Sequence, residues 1–121
     1  MKNIKGSLEA ELLSILAFGV EELVEKEGSG TIASGNTSSD EITVHSGDLI
    51  VIKAIEVSGV TPSSVVLKVD GKEMTLTKTG DLEANYGAKL YGRKITAVVN
   101  VASAVGSDTP VTVKIYGYKP K

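Results

Sequence analysis

The hydrophobic pattern divides the chain into two parts with different periods. In the first part, apolar side chains recur at helical spacing, as at Leu12 and Leu16, which predicts an α-helix. Ser7 suits the N-cap position and Gly28 suits the position just after a helix. The predicted helix therefore covers about 8–27. Beyond it, apolar and polar residues alternate with a period of two, which predicts β-strands.

The clearest strand pattern lies in LIVIKAIEV, residues 49–57, where both alternating faces are mostly apolar. This pattern predicts a central strand that is covered on both sides. Strict alternation places Val51 and Lys53 on one face and Ala54 on the other. A second clear signal is Asp70-Gly71 between two alternating runs, which is typical of a tight β-hairpin.

The spacing of the strand candidates predicts the fold class. Turn residues recur about every ten residues, as in antiparallel all-β domains. We therefore expect a mainly β fold, an antiparallel β-sandwich or jelly-roll-like domain over 29–121, preceded by one N-terminal α-helix over 1–28. The strand candidates are 31–34, 41–45, 49–57, 65–69, 73–77, 89–91, 94–101 and 111–118.

Composition restricts the possible chemistry. Hydrophobic residues make up 41% of the chain and charged residues 23%, which is typical of a globular domain rather than a disordered one. The net charge is -2 with no basic stripe, so nucleic acid is not an expected partner. The chain has no Cys and one His, His45, which disfavours a metal site or a catalytic triad within one chain. No cofactor is expected, and His45 is interpreted as a hydrogen-bonded or surface residue.

The predicted helix has more apolar surface than one neighbouring layer can cover. Between Leu12 and Val20, only Ser14 and Gly19 are not apolar, whereas an ordinary surface helix has one apolar stripe. Such a surplus favours self-association. Its acidic residues disfavour a membrane-surface role, and no run reaches the ~20 apolar residues of a membrane span. The predicted oligomer interface consists of Leu12, Leu13, Ile15, Leu16, Phe18, Val20 and Leu23.

Two further features belong to this interpretation. Gly28 and Gly30 flank Ser29 and are predicted to form a hinge that sets the angle of the helical arm. The alternative is a helix folded over the open end of its own sandwich.

At the other end of the chain, Tyr116 and Tyr118 lie two residues apart and so share one face of the last predicted strand. They are expected at a sheet edge or a subunit contact, or as a small platform for carbohydrate.

Two stretches carry a family resemblance. EITVHSGDLIVIKAIEVSGVTPSSVVLKVDG, from Glu41 to Gly71, and LYGRKITAVVNVASAVGSDTPVTVKIYGYK, from Leu90 to Lys119, resemble small β-sandwich proteins of phage and archaeal virus particles. The shared features are a long apolar strand and a Val-x-Leu-x-Val-Asp-Gly hairpin. The resemblance implies a building block of a capsid, a fibre or an extracellular filament. It does not include the N-terminal helix, and it brings no functional residue with it.

The sequence therefore predicts a non-enzymatic structural protein, located on a virion or in an extracellular surface assembly. Its expected partners are copies of itself or neighbouring subunits of a capsid or filament. The alternative is a β-sandwich module that binds carbohydrate or a receptor through Tyr116 and Tyr118. A third possibility is an accessory domain of an enzyme.

Overall fold

A computed structural model of the protein describes residues 20–87 and 90–120. Within these residues the chain forms seven β-strands and one short helix. They are β1 (Val20–Ile32), β2 (Ile42–Ser58), β3 (Ser64–Val69), β4 (Lys72–Leu76), β5 (Gly80–Asp81), α1 (Leu82–Tyr86), β6 (Leu90–Asn100) and β7 (Thr109–Pro120).

The described strands form one antiparallel sheet. Its order is β1-β7-β2-β6-β3-β4, and the short β5 pairs with β2 outside this path. β1 and β4 are therefore the two edge strands. The expectation of a mainly β, antiparallel fold is confirmed, whereas the division into two sandwich layers stays a prediction.

β2 is the central strand, as its pattern predicted, but it is longer than expected. It joins the two separate strand candidates 41–45 and 49–57, and the residues between them, Ser46-Gly47-Asp48, lie at an irregularity in the pairing with β6 between Ser46 and Ile50. A second irregularity, in the pairing with β7, leaves Lys53 between Ile52 and Ala54. Such a bulge adds one residue to a strand and shifts the alternation beyond it. Strict alternation therefore assigned Ala54 to the wrong face.

The sheet bends around a single main core. Buried side chains from β1, β2, β3, β4, β6 and β7 join Leu82 of α1 in one cluster. β1 lies so close to the first half of β2 that a Cβ atom on Gly28 would overlap the Thr43 carbonyl oxygen. Two isolated β-bridges link the end of β1 to the end of β6: Ile32 pairs with Ser39, and Ser38 pairs with Asn100. The core is therefore enclosed by the sheet itself.

The β3–β4 hairpin confirms the Asp70-Gly71 prediction. Both residues have positive φ, 49° at Asp70 and 87° at Gly71, as a two-residue hairpin turn of this kind requires. The two strands pair in register from Val65 opposite Leu76 to Val69 opposite Lys72. Alternating residues of the last two long strands are also buried: Ile95, Ala97 and Val99 of β6, and Val111, Val113 and Ile115 of β7.

The prediction of a helix up to residue 27 is wrong for its last part. Residues 20–27 belong to β1, which pairs with β7 from Val20 opposite Pro120 to Ile32 opposite Thr109, with one irregularity between Val20 and Glu22. Leu23 packs on one face of the sheet and Val24 on the other, as period two requires. Pairing with a neighbouring strand here overrides local helix preference. The predicted helical residues 8–19 lie outside the described residues.

Candidate functional site

The face of the sheet that points away from the main core carries four side chains in one line across four strands. Leu23 of β1 lies opposite Tyr118 of β7, and Tyr118 lies opposite Val51 of β2. Val51 in turn lies opposite Tyr91 of β6. Directly opposed residues in antiparallel strands have neighbouring side chains on the same face. We call these four residues the apolar row.

The apolar row is most exposed at its β6 end. Leu23, Tyr118 and Val51 are half-buried. Tyr91 is 66% exposed, and among the described residues no other large hydrophobic side chain is exposed. A shallow depression of about 430 Å³ lies beside Tyr91, with Met74 and Leu90 among its lining residues. The β6 end of the row is therefore accessible in a single copy of the chain.

A second line on the same face is more deeply buried. Tyr116 of β7 lies opposite Ala54 of β2, and the two form a small cluster with Leu23, separate from the main core. The Tyr116 hydroxyl donates a hydrogen bond to Glu56 Oε2 at 3.5 Å. Burial, and next the Glu56 charge, raise the pKa of Tyr116 above its ordinary value. Lys114 Nζ lies 6.0 Å from the centre of the Tyr116 ring.

Farther along, the same face becomes polar. Lys114 lies opposite Glu27 on one side and Glu56 on the other. In the next line, Ser29 and Thr112 are joined through their hydroxyl oxygens at 3.1 Å. The outer face is thus divided into an apolar half, near the start of β1, and a polar half, near its end.

The start of β1 lies beside the end of β7 and is fastened there by an ion-pair cluster. Lys119 Nζ lies 3.1 Å from Asp48 Oδ2 and 3.7 Å from Glu22 Oε1. The hydrogen bond and charge of Lys119 lower the pKa of Asp48. His45 Nε2 lies 2.7 Å from the Asp48 carbonyl oxygen, so this nitrogen donates. The interpretation of His45 as a hydrogen-bonded residue is confirmed.

The structure places part of the predicted site. Val20 and Leu23 lie in β1, and Leu23 belongs to the apolar row. Tyr116 and Tyr118 share one face of β7, as predicted, but Tyr116 is only 5% exposed. The predicted interface residues Leu12, Leu13, Ile15, Leu16 and Phe18 lie outside the described residues.

Gly28 and Gly30 do not form the predicted hinge. Both lie inside β1, where they pair with Val113 and Val111 of β7. A Cβ atom on Gly30 would overlap Asp40 and Ile42, just as one on Gly28 would overlap the backbone at Thr43. Glycine at these positions therefore permits the close approach of β1 and the first half of β2.

The described residues contain no group of three or more His, Cys, Asp or Glu side chains that could hold a metal ion. In the same part of the chain, no helix is long and apolar enough to cross a membrane.

Sequence analysis missed the importance of Tyr91. The sequence places Tyr91 at the end of the strand candidate 89–91, but its alignment with Val51 and Tyr118 depends on the register of three strands.

Comparisons with known proteins find distant likenesses. No protein-family model matches the chain, and no curated protein matches it. A chain described as "Cyanophage Pam1 capsid asymmetric unit" is similar over 85% of this chain and 88% of its own length, with 20% sequence identity and a TM-score of 0.44. The crystal structure of FLHE is similar over 82% of this chain and 99% of its own, with 17% identity and a TM-score of 0.35. Both likenesses are too distant to indicate a function.

Proposed function

We propose that the protein is a non-enzymatic structural subunit that assembles with copies of itself or with neighbouring subunits. Its β domain is the building block. The contacts are made by the apolar segment Leu12–Phe18, together with the edges of the sheet. The resemblance of residues 41–71 and 90–119 to β-sandwich proteins of virus particles suggests a virion or an extracellular filament as the setting.

The observation that carries this proposal is the position of Val20. The described part of β1 begins at Val20, which lies at one end of this edge strand and opposite Pro120. The apolar segment immediately precedes this point in the sequence. It is therefore attached at the periphery of the sheet, beside the apolar half of the outer face. An apolar segment attached at such a place is well positioned to reach a neighbouring subunit.

The edge strands are the second element of the proposal. The outer edge of a sheet exposes backbone N–H and C=O groups that a strand from another molecule can pair with. β4 has five residues and includes Lys72 and Glu73, features that limit uncontrolled pairing. β1 has thirteen residues and is the longer of the two edges. The backbone N–H and C=O of Thr31 already bond to Asp40, so an added strand would pair with the residues before Thr31. We therefore place sheet extension, if a neighbour supplies a strand, at β1.

Light scattering during size-exclusion chromatography tests the proposal. The full-length chain should elute as an oligomer, and the double variant Ile15→Asp/Phe18→Asp should shift to the monomer mass with an unchanged β circular-dichroism spectrum. Thr61→Asp/Ser63→Asp is the matched control, since both side chains are exposed and it adds the same charge. A monomeric wild type would refute assembly with copies of itself. Loss of the fold in the double variant alone would show that the segment covers its own domain.

A second candidate function, carbohydrate binding, is favoured by one observation. Tyr91 is 66% exposed, and Lys72 and Glu73 line the depression beside it. Exposed aromatic rings stack on sugar rings, and charged side chains can bond to sugar hydroxyls. A glycan array tests this with Tyr91→Ala and Tyr118→Ala, which separate the exposed position from the half-buried one predicted from sequence. Binding that is lost only in Tyr91→Ala would favour this function.

A further inference from the structure

The apolar row lies at the end of the sheet where the described part of β1 begins, and the apolar segment Leu12–Phe18 precedes that point in the sequence. We propose that the apolar row of one copy, Leu23–Tyr118–Val51–Tyr91, receives the segment Leu12–Phe18 of a second copy. This inference rests on the proposed function and adds the surface to which the segment binds.

The dimensions of the row suit such a partner. Four adjacent strands contribute one side chain each, and neighbouring strands lie ~4.8 Å apart, so the row is roughly 14 Å wide. Ala54 and Tyr116 form a second line beside it, which Glu25 of β1 continues with a charged side chain. The surface ends at the charged line of Lys114, Glu27 and Glu56. A short apolar segment of about seven residues matches an area of this size better than a whole domain does.

The exposure of the row indicates that one copy does not cover it completely. Leu23, Val51 and Tyr118 keep partial exposure, and Tyr91 is 66% exposed. Exposed apolar surface of this kind commonly marks a contact with another molecule. Tyrosine, which supplies two of the four side chains, is enriched at such contacts.

The direction of β1 favours a segment from a second copy. Along β1, the outer-face residues run from Leu23 through Glu25 and Glu27 to Ser29, from the apolar half towards the polar half. The chain before Val20 joins β1 at the opposite end, beyond Leu23. Phe18 precedes Val20 by two residues and Leu23 by five, which leaves little chain for the segment to fold back over the row of its own copy. A segment from a neighbouring copy is not limited in this way.

Chemical cross-linking tests the inference directly, because the chain has no cysteine of its own. Full-length Phe18→Cys and full-length Tyr91→Cys are prepared separately, and are then mixed and treated with a short bis-maleimide. We expect a cross-linked dimer in the mixture in excess of that in either variant alone. A mixture of Phe18→Cys and Ser58→Cys is the control. Ser58 lies on the outer face of the sheet, as Val51 does, but in its polar half.

The outcomes separate this inference from the proposed function. A cross-link within one chain of the double variant Phe18→Cys/Tyr91→Cys, with none in the mixture, would show that the segment covers its own row and would overturn the inference. Equal cross-linking with Ser58→Cys would also overturn it. If the wild type is an oligomer that Ile15→Asp/Phe18→Asp dissociates while the mixture gives no specific cross-link, the proposed function stands and only the receiving surface is wrong.

Discussion

Asp70 and Lys94 hold each other through two hydrogen bonds. The amide of Asp70 donates to the carbonyl oxygen of Lys94 at 2.9 Å, and the amide of Lys94 donates to Asp70 Oδ1, also at 2.9 Å. The amide of Arg93 donates to the same carboxylate at 3.0 Å. The hairpin turn is thereby fastened to β6, where Gly92 leaves room for the Val69 and Asp70 side chains.

This arrangement predicts an acid-sensitive contribution to stability. The hydrogen bonds from Lys94, then Arg93, lower the pKa of Asp70 below its ordinary value of 3.8. A carboxyl group whose pKa is lowered in the folded state makes its full contribution to stability at pH values above its pKa in the unfolded chain. This contribution is lost as the pH falls from there through the folded pKa. Urea midpoints measured between pH 6 and pH 2 should fall more steeply for the wild type than for Asp70→Asn.

Asparagine is the informative replacement at this position. It tolerates the positive φ of 49° and keeps one acceptor oxygen, so Asp70→Asn should lose less stability at pH 7 than Asp70→Ala. Equal losses in the two variants would show that the carboxylate contacts, rather than the turn conformation, dominate. An unchanged pH dependence in Asp70→Asn would contradict the assignment of the acid sensitivity to Asp70.

Gly117 gives a prediction about packing at the bulge of β2. A Cβ atom on Gly117 would overlap the Val51 carbonyl oxygen, because the two strands approach closely where Lys53 interrupts the pairing. Gly117→Ala should therefore destabilise the fold by about 1–3 kcal/mol in chemical denaturation, as overpacking does. Gly106→Ala is the control, since open space surrounds Gly106 and a change within ~0.5 kcal/mol is expected. Equal effects would contradict the close approach.

Tyr116 should titrate at a higher pH than an ordinary tyrosine does. Burial and the Glu56 charge raise its pKa above 10.0 in the folded state. The neutral phenol therefore contributes to stability below pH 10.0, and this contribution is lost as the pH rises through the raised pKa. Absorbance at the phenolate band should show a late component that disappears in Tyr116→Phe and moves to lower pH in Glu56→Gln. A late component that survives in Tyr116→Phe would assign it to another tyrosine.

Lys119 should control the titration of Asp48. Its hydrogen bond is the largest cause of the lowered pKa of Asp48, and His45 and Arg93 add smaller effects. In Lys119→Gln, the Asp48 resonance followed by NMR should titrate at higher pH than in the wild type. Arg93→Gln should move it less. The reverse order would show that the observed 3.1 Å ion pair is not formed in solution.

The sequence was sufficient for the parts of the fold that local chemistry specifies. Asp70-Gly71 fixes a hairpin because few residue pairs accept positive φ at both positions. The inward positions of β6 and β7 follow from alternation, because one face of each strand packs on the core. In both cases the signal lies within a few residues.

Other features depend on distant residues and could not be predicted. Residues 20–27 contain apolar and charged residues that fit either period, and pairing with β7 decides in favour of a strand. The bulge at Lys53 changes the face of Ala54, although nothing in LIVIKAIEV marks it. The apolar row is likewise created by register, since Leu23 and Tyr91 are 68 positions apart in the sequence and meet in one line only through β7 and β2.

Sedimentation equilibrium of the unaltered full-length chain tests the central claim, assembly through the apolar segment, most directly. The chain mass is 12.6 kDa. We predict a fitted mass that is a multiple of 12.6 kDa at micromolar concentration, and one that returns to 12.6 kDa in Ile15→Asp/Phe18→Asp. A wild-type mass of 12.6 kDa at every concentration would contradict the claim, as would an oligomer that the double variant leaves intact.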